Sequence, residues 1–309
     1  MSSLKMLRRN KFPYVRVICL CIFFTLWALS MRLLRVIPHE RTPAAGKRAT
    51  NICLVIRTYP KQASSLQTLM YNLVDSAAAA NSNGKNVQVN AIIADSDEET
   101  YKDSKSFITN LMDKMKLQPN KDISFVVPDL SQFDMLKYKG EQNRTDYGYV
   151  LTQYLMDNYV NPKYRPYLRN QPHLTQQPYS CDWVMVTNGD NLFTRNIFER
   201  LDVYIRQNKY NIIAYDFVSG HKRGSRDRTN RINQHLVTGL KQSFVDLSAY
   251  IYRTAAYEEC DLATYFPTEE VLENQKWGFH AQDFFFVDAL NRCFTNRAVI
   301  IPEVYLIHQ

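Results

Sequence analysis

Apolar residues fall into two alternating rhythms along most of the chain. Short, nearly continuous runs at 51–59 (NICLVIRTY), 87–95 (VQVNAIIAD) and 122–129 (DISFVVPD) predict strands. A strand covered on both faces loses the in–out alternation of a half-exposed one. Between these runs, 65–80 and 100–117 space their apolar residues three and four apart, which predicts helices. The alternation continues with a helix carrying apolar or aromatic residues at 147, 150, 151, 154 and 155, a strand at 182–187, and an amphipathic helix through 196–207. Strands follow at 210–218 and 243–253, then a helix developing within 277–293, and short strands close 298–309. Residues 161–180 hold four prolines and predict loop, and 219–234 break all periodicity. Strands alternating with helices of this length predict βαβ units, hence one α/β domain over 51–309 built on a mainly parallel sheet flanked by helices.

The amino-terminal region follows a different pattern. Residues 17–31 run without a charge between Arg16 and Arg32, and Leu33, Leu34, Val36 and Ile37 extend the apolar stretch. This predicts a transmembrane signal-anchor over 17–37, with a cytosolic tail at 1–16 and a polar stem at 38–50. A cleaved signal peptide ending near Ala28-Leu29-Ser30 is the rival expectation. Charge adds to this picture. Seven of the 38 basic residues and none of the 30 acidic ones lie in 1–36, leaving 31 basic against 30 acidic in the remainder. The net charge of +8 therefore belongs to the amino terminus, and the domain lacks the basic excess of a nucleic-acid binder. The sequon Asn143-Arg144-Thr145 and four cysteines beyond the anchor (Cys53, Cys181, Cys260, Cys293) suit a lumenal, oxidising setting. The expected localisation is a single-pass type II protein of the Golgi or endoplasmic reticulum membrane. Cys53, inside a strand-like run, is expected as a plain buried thiol, and the other three as the better disulfide candidates.

Chemistry is sought first where the strand 182–187 ends in a polar knot, Asn188-Gly189-Asp190-Asn191. Alone, such an Asp caps a helix or shapes a turn. Its position at a strand end, half a domain after an opening βαβ unit, resembles the DXD motif of GT-A fold glycosyltransferases. That resemblance covers about 50–309 and implies a GT-A-like, Rossmann-related fold with a divalent cation, Mn²⁺ or Mg²⁺, gripping the diphosphate of a nucleotide-sugar. Asp190 would be the metal ligand and Asn188, where the motif has Asp, a weaker donor-site partner.

Other parts of the chain are similar to the same family. VIRTYPKQ implicates Arg57, Thr58 and Tyr59 in donor binding, and Asp95 in IIADSDEE stands where an acidic side chain meets the base or ribose, with Asp97 next in line. WGFHAQDFFF resembles the acceptor segment, with Trp277 and Gly278 against the acceptor sugar and Asp283 where inverting members keep a general base. His308 fits a late metal-ligand position, and Asp246 is a candidate acceptor contact. Tyr147 and Gln153 are candidates to flank the base, against a core role. The cationic stretch 221–231 is expected as a solvated loop rather than a lid. The function these imply is sugar transfer to a glycan, glycoprotein or glycolipid, inverting if Asp283 is the base and retaining otherwise. A hydrolase and a non-catalytic lumenal protein of the same fold are the alternatives. The Asn at 188 argues most for the latter, and no carboxylate pair of the kind a glycosidase needs stands beside the motif.

Overall fold

The run beginning at Thr50 forms strand β1, Thr50–Thr58, buried along nearly its whole length. The computed structural model describes residues 49–97, 100–116, 122–131, 133, 148–160, 181–219, 234–236, 238–240, 246–255, 282–293 and 297–308. After β1 come α1 (Ala63–Ser82), β2 (Val87–Asp95), α2 (Ser104–Met115), β3 (Ile123–Val126) and α3 (Tyr149–Tyr159). The second half holds β4 (Trp183–Asn188), β5 (Leu192–Phe193), α4 (Ile197–Ile205), β6 (Ile212–Ser219), β7 (Gln234–Leu236), β8 (Tyr250–Arg253), α5 (Gln282–Cys293) and β9 (Ala298–His308). One sheet takes the order β3-β2-β1-β4-β8-β6-β9-β5, with β7 added to β6. β1, β2, β3 and β4 run parallel, as do β6 and β9, while β8, β7 and β5 pair antiparallel. The sheet is thus mixed but mainly parallel, as the alternating pattern predicts.

Helices cover both faces, and this explains the unbroken apolar runs. Ile52, Leu54 and Ile56 of β1 pack with Leu66, Leu69, Met70, Leu73, Ala77 and Ala80 of α1 and with residues of α2 and α4. Cys53 and Val55, pointing the other way, pack with α3 and with Phe286, Val287 and Leu290 of α5. Burying each such large apolar side chain contributes about 1.5–3 kcal/mol.

Three expectations change. Cys53 is not a lone thiol: it is disulfide-bonded to Cys181, with the α-carbons 5.6 Å apart across 128 residues of sequence. The stretch 181–184 runs parallel beside β1, with Asp182 N–H donating to Asn51 O, so Cys181 is delivered to the strand that carries Cys53. Cys293 is disulfide-bonded as well. The strand expected over 243–253 starts only at Tyr250, because the Asp246 carboxylate accepts the Ser248 N–H at 3.0 Å and bends the preceding residues into a 3₁₀ turn, Leu247–Ala249. The closing segment is one eleven-residue strand rather than several short ones. Its register against β6 jumps from Ile301 to Val304, so Pro302 and Glu303 bulge out of the ladder that proline could not complete.

The two-residue strand β5 has an unusual neighbour. It pairs with β9, Leu192 against Ile307 and Phe193 against Leu306. On its other side Asn72 of α1 donates to Phe193 O (2.8 Å) and accepts from Phe193 N (3.0 Å).

The predicted anchor at 17–37, the sequon at Asn143, Cys260 and the cationic stretch 221–231 lie outside the described residues. Among the described residues, no helix is long and apolar enough to cross a membrane.

Candidate functional site at the strand ends

From β1 the chain moves outward through β2 to β3, then returns to place β4 on the other side of β1. The order reverses between β1 and β4, and in open α/β sheets the crevice outside the carboxyl ends at such a point is where ligands bind. Registers bring three strand ends together there. Arg57 lies opposite Asn188, and Thr58 opposite Asp95.

The turn after β4 is built around Gly189. Its N–H donates to Arg57 O at 2.7 Å, and a Cβ on it would lie 2.6 Å from Thr58 Oγ1 and 2.8 Å from Thr58 Cβ. Only glycine lets the turn lie this close to β1. Gly189→Ala is therefore expected to push the turn off Thr58 and destabilise the protein by about 1–3 kcal/mol. A thermal-unfolding midpoint should show this loss, and Thr58→Gly in the same chain should restore part of it; an unchanged midpoint for Gly189→Ala would contradict the packing. Asn191, fully buried, pins the far side of the turn by donating to Thr187 Oγ1 (3.0 Å) and Ser248 Oγ (2.9 Å).

Asp190 projects from this turn. Its Oδ2 accepts from Gln62 Nε2 at 2.5 Å, while Oδ1 is buried and has no hydrogen-bond partner among the described residues. Gln62 ends a 3₁₀ turn, Pro60–Gln62, that follows the half-exposed Tyr59. Asn188 Oδ1 accepts two N–H groups of Arg57, from Nε at 3.1 Å and from Nη2 at 2.7 Å. Arg57 is 6% exposed, and its guanidinium also lies 5.1 Å from the centre of the Tyr149 ring. Gly148, at φ +79°, allows that approach, since a Cβ there would stand 3.2 Å from both Arg57 Cδ and Ser96 Cβ.

The remaining predicted residues divide. Asp95 is fully buried and holds its own loop: Oδ1 accepts from Asp97 N (2.9 Å) and Oδ2 from Thr100 Oγ1 (2.6 Å). Burial pushes its carboxyl above the usual range, and those two hydrogen bonds oppose the rise. It is a loop cap in this geometry rather than a side chain open to the crevice. Asp246 and His308 come together instead, Oδ2 to Nε2 at 3.8 Å, with the imidazole edge-on to Phe217. The β5–β9 register puts His308 beside Asn191, next to the Asp190 turn. Gln153 donates to Asp157 within α3. Tyr147, Trp277 and Gly278, and the side chain of Asp283 on α5, lie outside the described residues.

The described residues do not by themselves build a Mn²⁺ or Mg²⁺ centre, although Asp190 Oδ1, the expected ligand atom, is buried without a hydrogen-bond partner among them. The Asn188 carbonyl accepts from a guanidinium, the His308 imidazole lies 3.8 Å from Asp246, and among the described residues no three His, Cys, Asp or Glu side chains cluster to hold an ion.

Sequence reasoning missed Gln62, Gly148 and Tyr149. The Gly-Tyr opening of α3 is a visible signal in hindsight, whereas nothing in PKQ marks Gln62. A cavity of about 630 Å³ lies at the opposite end of β1 and β4, lined by Thr50, Asp182, Trp183, Arg206, Asn208 and Arg253. It lies at the amino ends of the parallel strands, away from the switch point, and Asp182 there accepts from the Asn51 N–H.

No protein-family model and no curated protein match the chain. Solved structures similar to it include S. aureus TarS 1–349 in complex with UDP-GlcNAc, at 14% identity over 84% of this chain and 58% of that one, with a TM-score of 0.45. The bifunctional glycosyltransferase WbbM matches at 14% identity over 84% and 40%, with a TM-score of 0.38. The 4-diphosphocytidyl-2C-methyl-D-erythritol synthase of Anaerococcus prevotii matches at 9% identity over 82% and 89%, with a TM-score of 0.37. The chain thus spans less than two thirds of the length of the TarS structure. Each likeness is one of distant fold alone.

Proposed function

We propose that the protein transfers a sugar from a nucleotide-sugar to a glycan, glycoprotein or glycolipid. The observation that carries this reading is the cluster at the β1–β4 switch point: a guanidinium, Arg57, held by its register partner Asn188, and a carboxylate, Asp190, two residues beyond Asn188 and held by Gln62. A diphosphate calls for the first and ligand hydroxyls for the second. Tyr59, half-exposed at the crevice edge, offers a ring face to the base. Asp283 at the start of α5 is the proposed base for an acceptor hydroxyl, which would make the reaction inverting. The protein is proposed to be a type II membrane protein with its domain in the Golgi or endoplasmic reticulum lumen. The Cys53–Cys181 disulfide supports such an oxidising compartment.

The test is a thermal-shift screen of nucleotide-sugars on the full chain, followed by transfer assays with the donor found. Asp283→Asn is expected to keep donor binding and lower transfer by about 10²–10⁴-fold. Stabilisation by no nucleotide-sugar would reject the transferase in favour of a non-catalytic protein of this fold. Full transfer by Asp283→Asn would move the base elsewhere.

A further inference from the structure

We infer that Gln62 is a positioning residue of the nucleotide-sugar site: its amide takes one oxygen of Asp190 and thereby fixes the other, Oδ1, as the atom that meets the ligand. The inference rests on the proposed nucleotide-sugar reading and names a residue through which that site works.

An aspartate carboxylate turns easily about its last torsion, so its two oxygens are interchangeable until something distinguishes them. Here Gln62 Nε2 donates to Oδ2 at 2.5 Å, while Oδ1 is buried without a hydrogen-bond partner among the described residues. Asp190 as a whole is half-buried. A desolvated carboxylate oxygen is costly until a donor or a cation reaches it, which makes Oδ1 the atom kept for a ligand. Glutamine suits the task of holding its twin. The amide donates an N–H but brings no charge, whereas Lys or Arg at 62 would pair with the carboxylate and compete with whatever Oδ1 binds.

Gln62 can orient Asp190 because it is itself held. Pro60 opens its 3₁₀ turn, the Gln62 N–H donates to Tyr59 O at 2.9 Å, and the residue is 8% exposed. Helix α1 starts at the next residue and buries Leu66, Leu69, Met70 and Leu73 in the core. The same helix holds Phe193 through Asn72. Two amides, one at the head of α1 and one in its middle, therefore grip the segment 190–193, and the first sets the orientation of the carboxylate. Without the amide at 62 the carboxylate could turn, and a ligand would have to order it on binding.

The experiment is isothermal titration of the full chain, in buffer containing MgCl₂, with ADP, CDP, GDP and UDP and with UDP-glucose, UDP-N-acetylglucosamine and GDP-mannose. The tightest of these is then titrated into Gln62→Leu and Gln62→Glu, each alone and combined with Asp190→Asn. Gln62→Leu, which keeps the bulk and removes the donor, is expected to weaken binding by about 3- to 10-fold. Gln62→Glu, which sets a second carboxylate against Asp190, is expected to weaken it by about 10- to 100-fold. With Asp190→Asn already present, neither is expected to cost more than a further factor of about 2, because residue 62 then has no carboxylate to orient. A general weakening of the fold by a substitution at 62 appears in both backgrounds and cancels in the comparison. Equal losses in the two backgrounds, or a Gln62→Glu protein that binds as tightly as the parent, overturn the inference and leave the transferase reading standing. Failure of the parent to bind any of these nucleotides removes the transferase reading and the inference with it.

Discussion

Replacing Cys53 and Cys181 together by alanine is expected to cost about 5 kcal/mol and to lower the unfolding midpoint by on the order of 10 °C. The bridge closes a loop spanning 128 residues, so it removes a large share of the conformations open to the unfolded chain. It also replaces two buried sulfurs packed between β1 and α3, which the alanines leave as small voids. A thermal melt of the double variant beside the parent, both without reductant so that the Cys293 disulfide stays intact, measures the combined effect. A shift of only a degree or two would mean that the packing around β1 holds Cys181 in place without the bond.

Above pH 10 the fold is expected to lose stability steeply. Burial pushes the Tyr159 phenol up to about 12 from its ordinary 10. Burial, and then the charge of Asp246, raises Tyr215 well above that value, and burial beside Glu303 raises Tyr305. These phenols keep their protons in the folded protein at a pH where unfolded ones have lost them. The unfolded state therefore binds fewer protons, and stability falls as pH rises. The contribution is whole below pH 10 and disappears as pH climbs toward the folded values. Tyr159 alone gives up about 1.4 kcal/mol per pH unit, or about 3 kcal/mol by pH 12. Urea midpoints at roughly pH 9 and 11.5 should differ accordingly, and Tyr159→Phe should make the decline shallower. Equal midpoints at the two pH values would show that these phenols are hydrated in the folded protein.

The strands that build the site were legible because burial on both faces writes itself into composition. The runs at 51–59, 87–95 and 182–187 locate β1, β2 and β4 to within a residue at each end. β5 leaves no such trace: two residues have no period, and they become a strand only once β9 arrives beside them. Residue types at strand ends were equally readable, but their tasks were not. An aspartate ending β2 and one following β4 are alike in sequence, yet Asp95 is consumed by Asp97 N–H and Thr100 while Asp190 retains a buried oxygen. The difference depends on whether the next few residues fold back over the carboxylate, a matter of loop path rather than composition. Asn188 is the same case. Its neighbour across the ladder, Arg57, lies 131 positions earlier, and only the pairing of β1 with β4 shows that the amide faces a cation.

The amide of Asn72 gives the chemistry of this region a mechanical character. By returning both bonds of a missing strand neighbour to Phe193, it seals one edge of β5, while β9 seals the other. The turn bearing Asp190 is therefore clamped from behind to α1 and to the last strand at once, and it cannot swing outward without breaking both clamps. It behaves as a fixed jaw. Among the described residues, the wall that meets solvent beside it is the one formed by Tyr59 and the turn ending in Gln62, and Gln62 ties that wall to the carboxylate it holds.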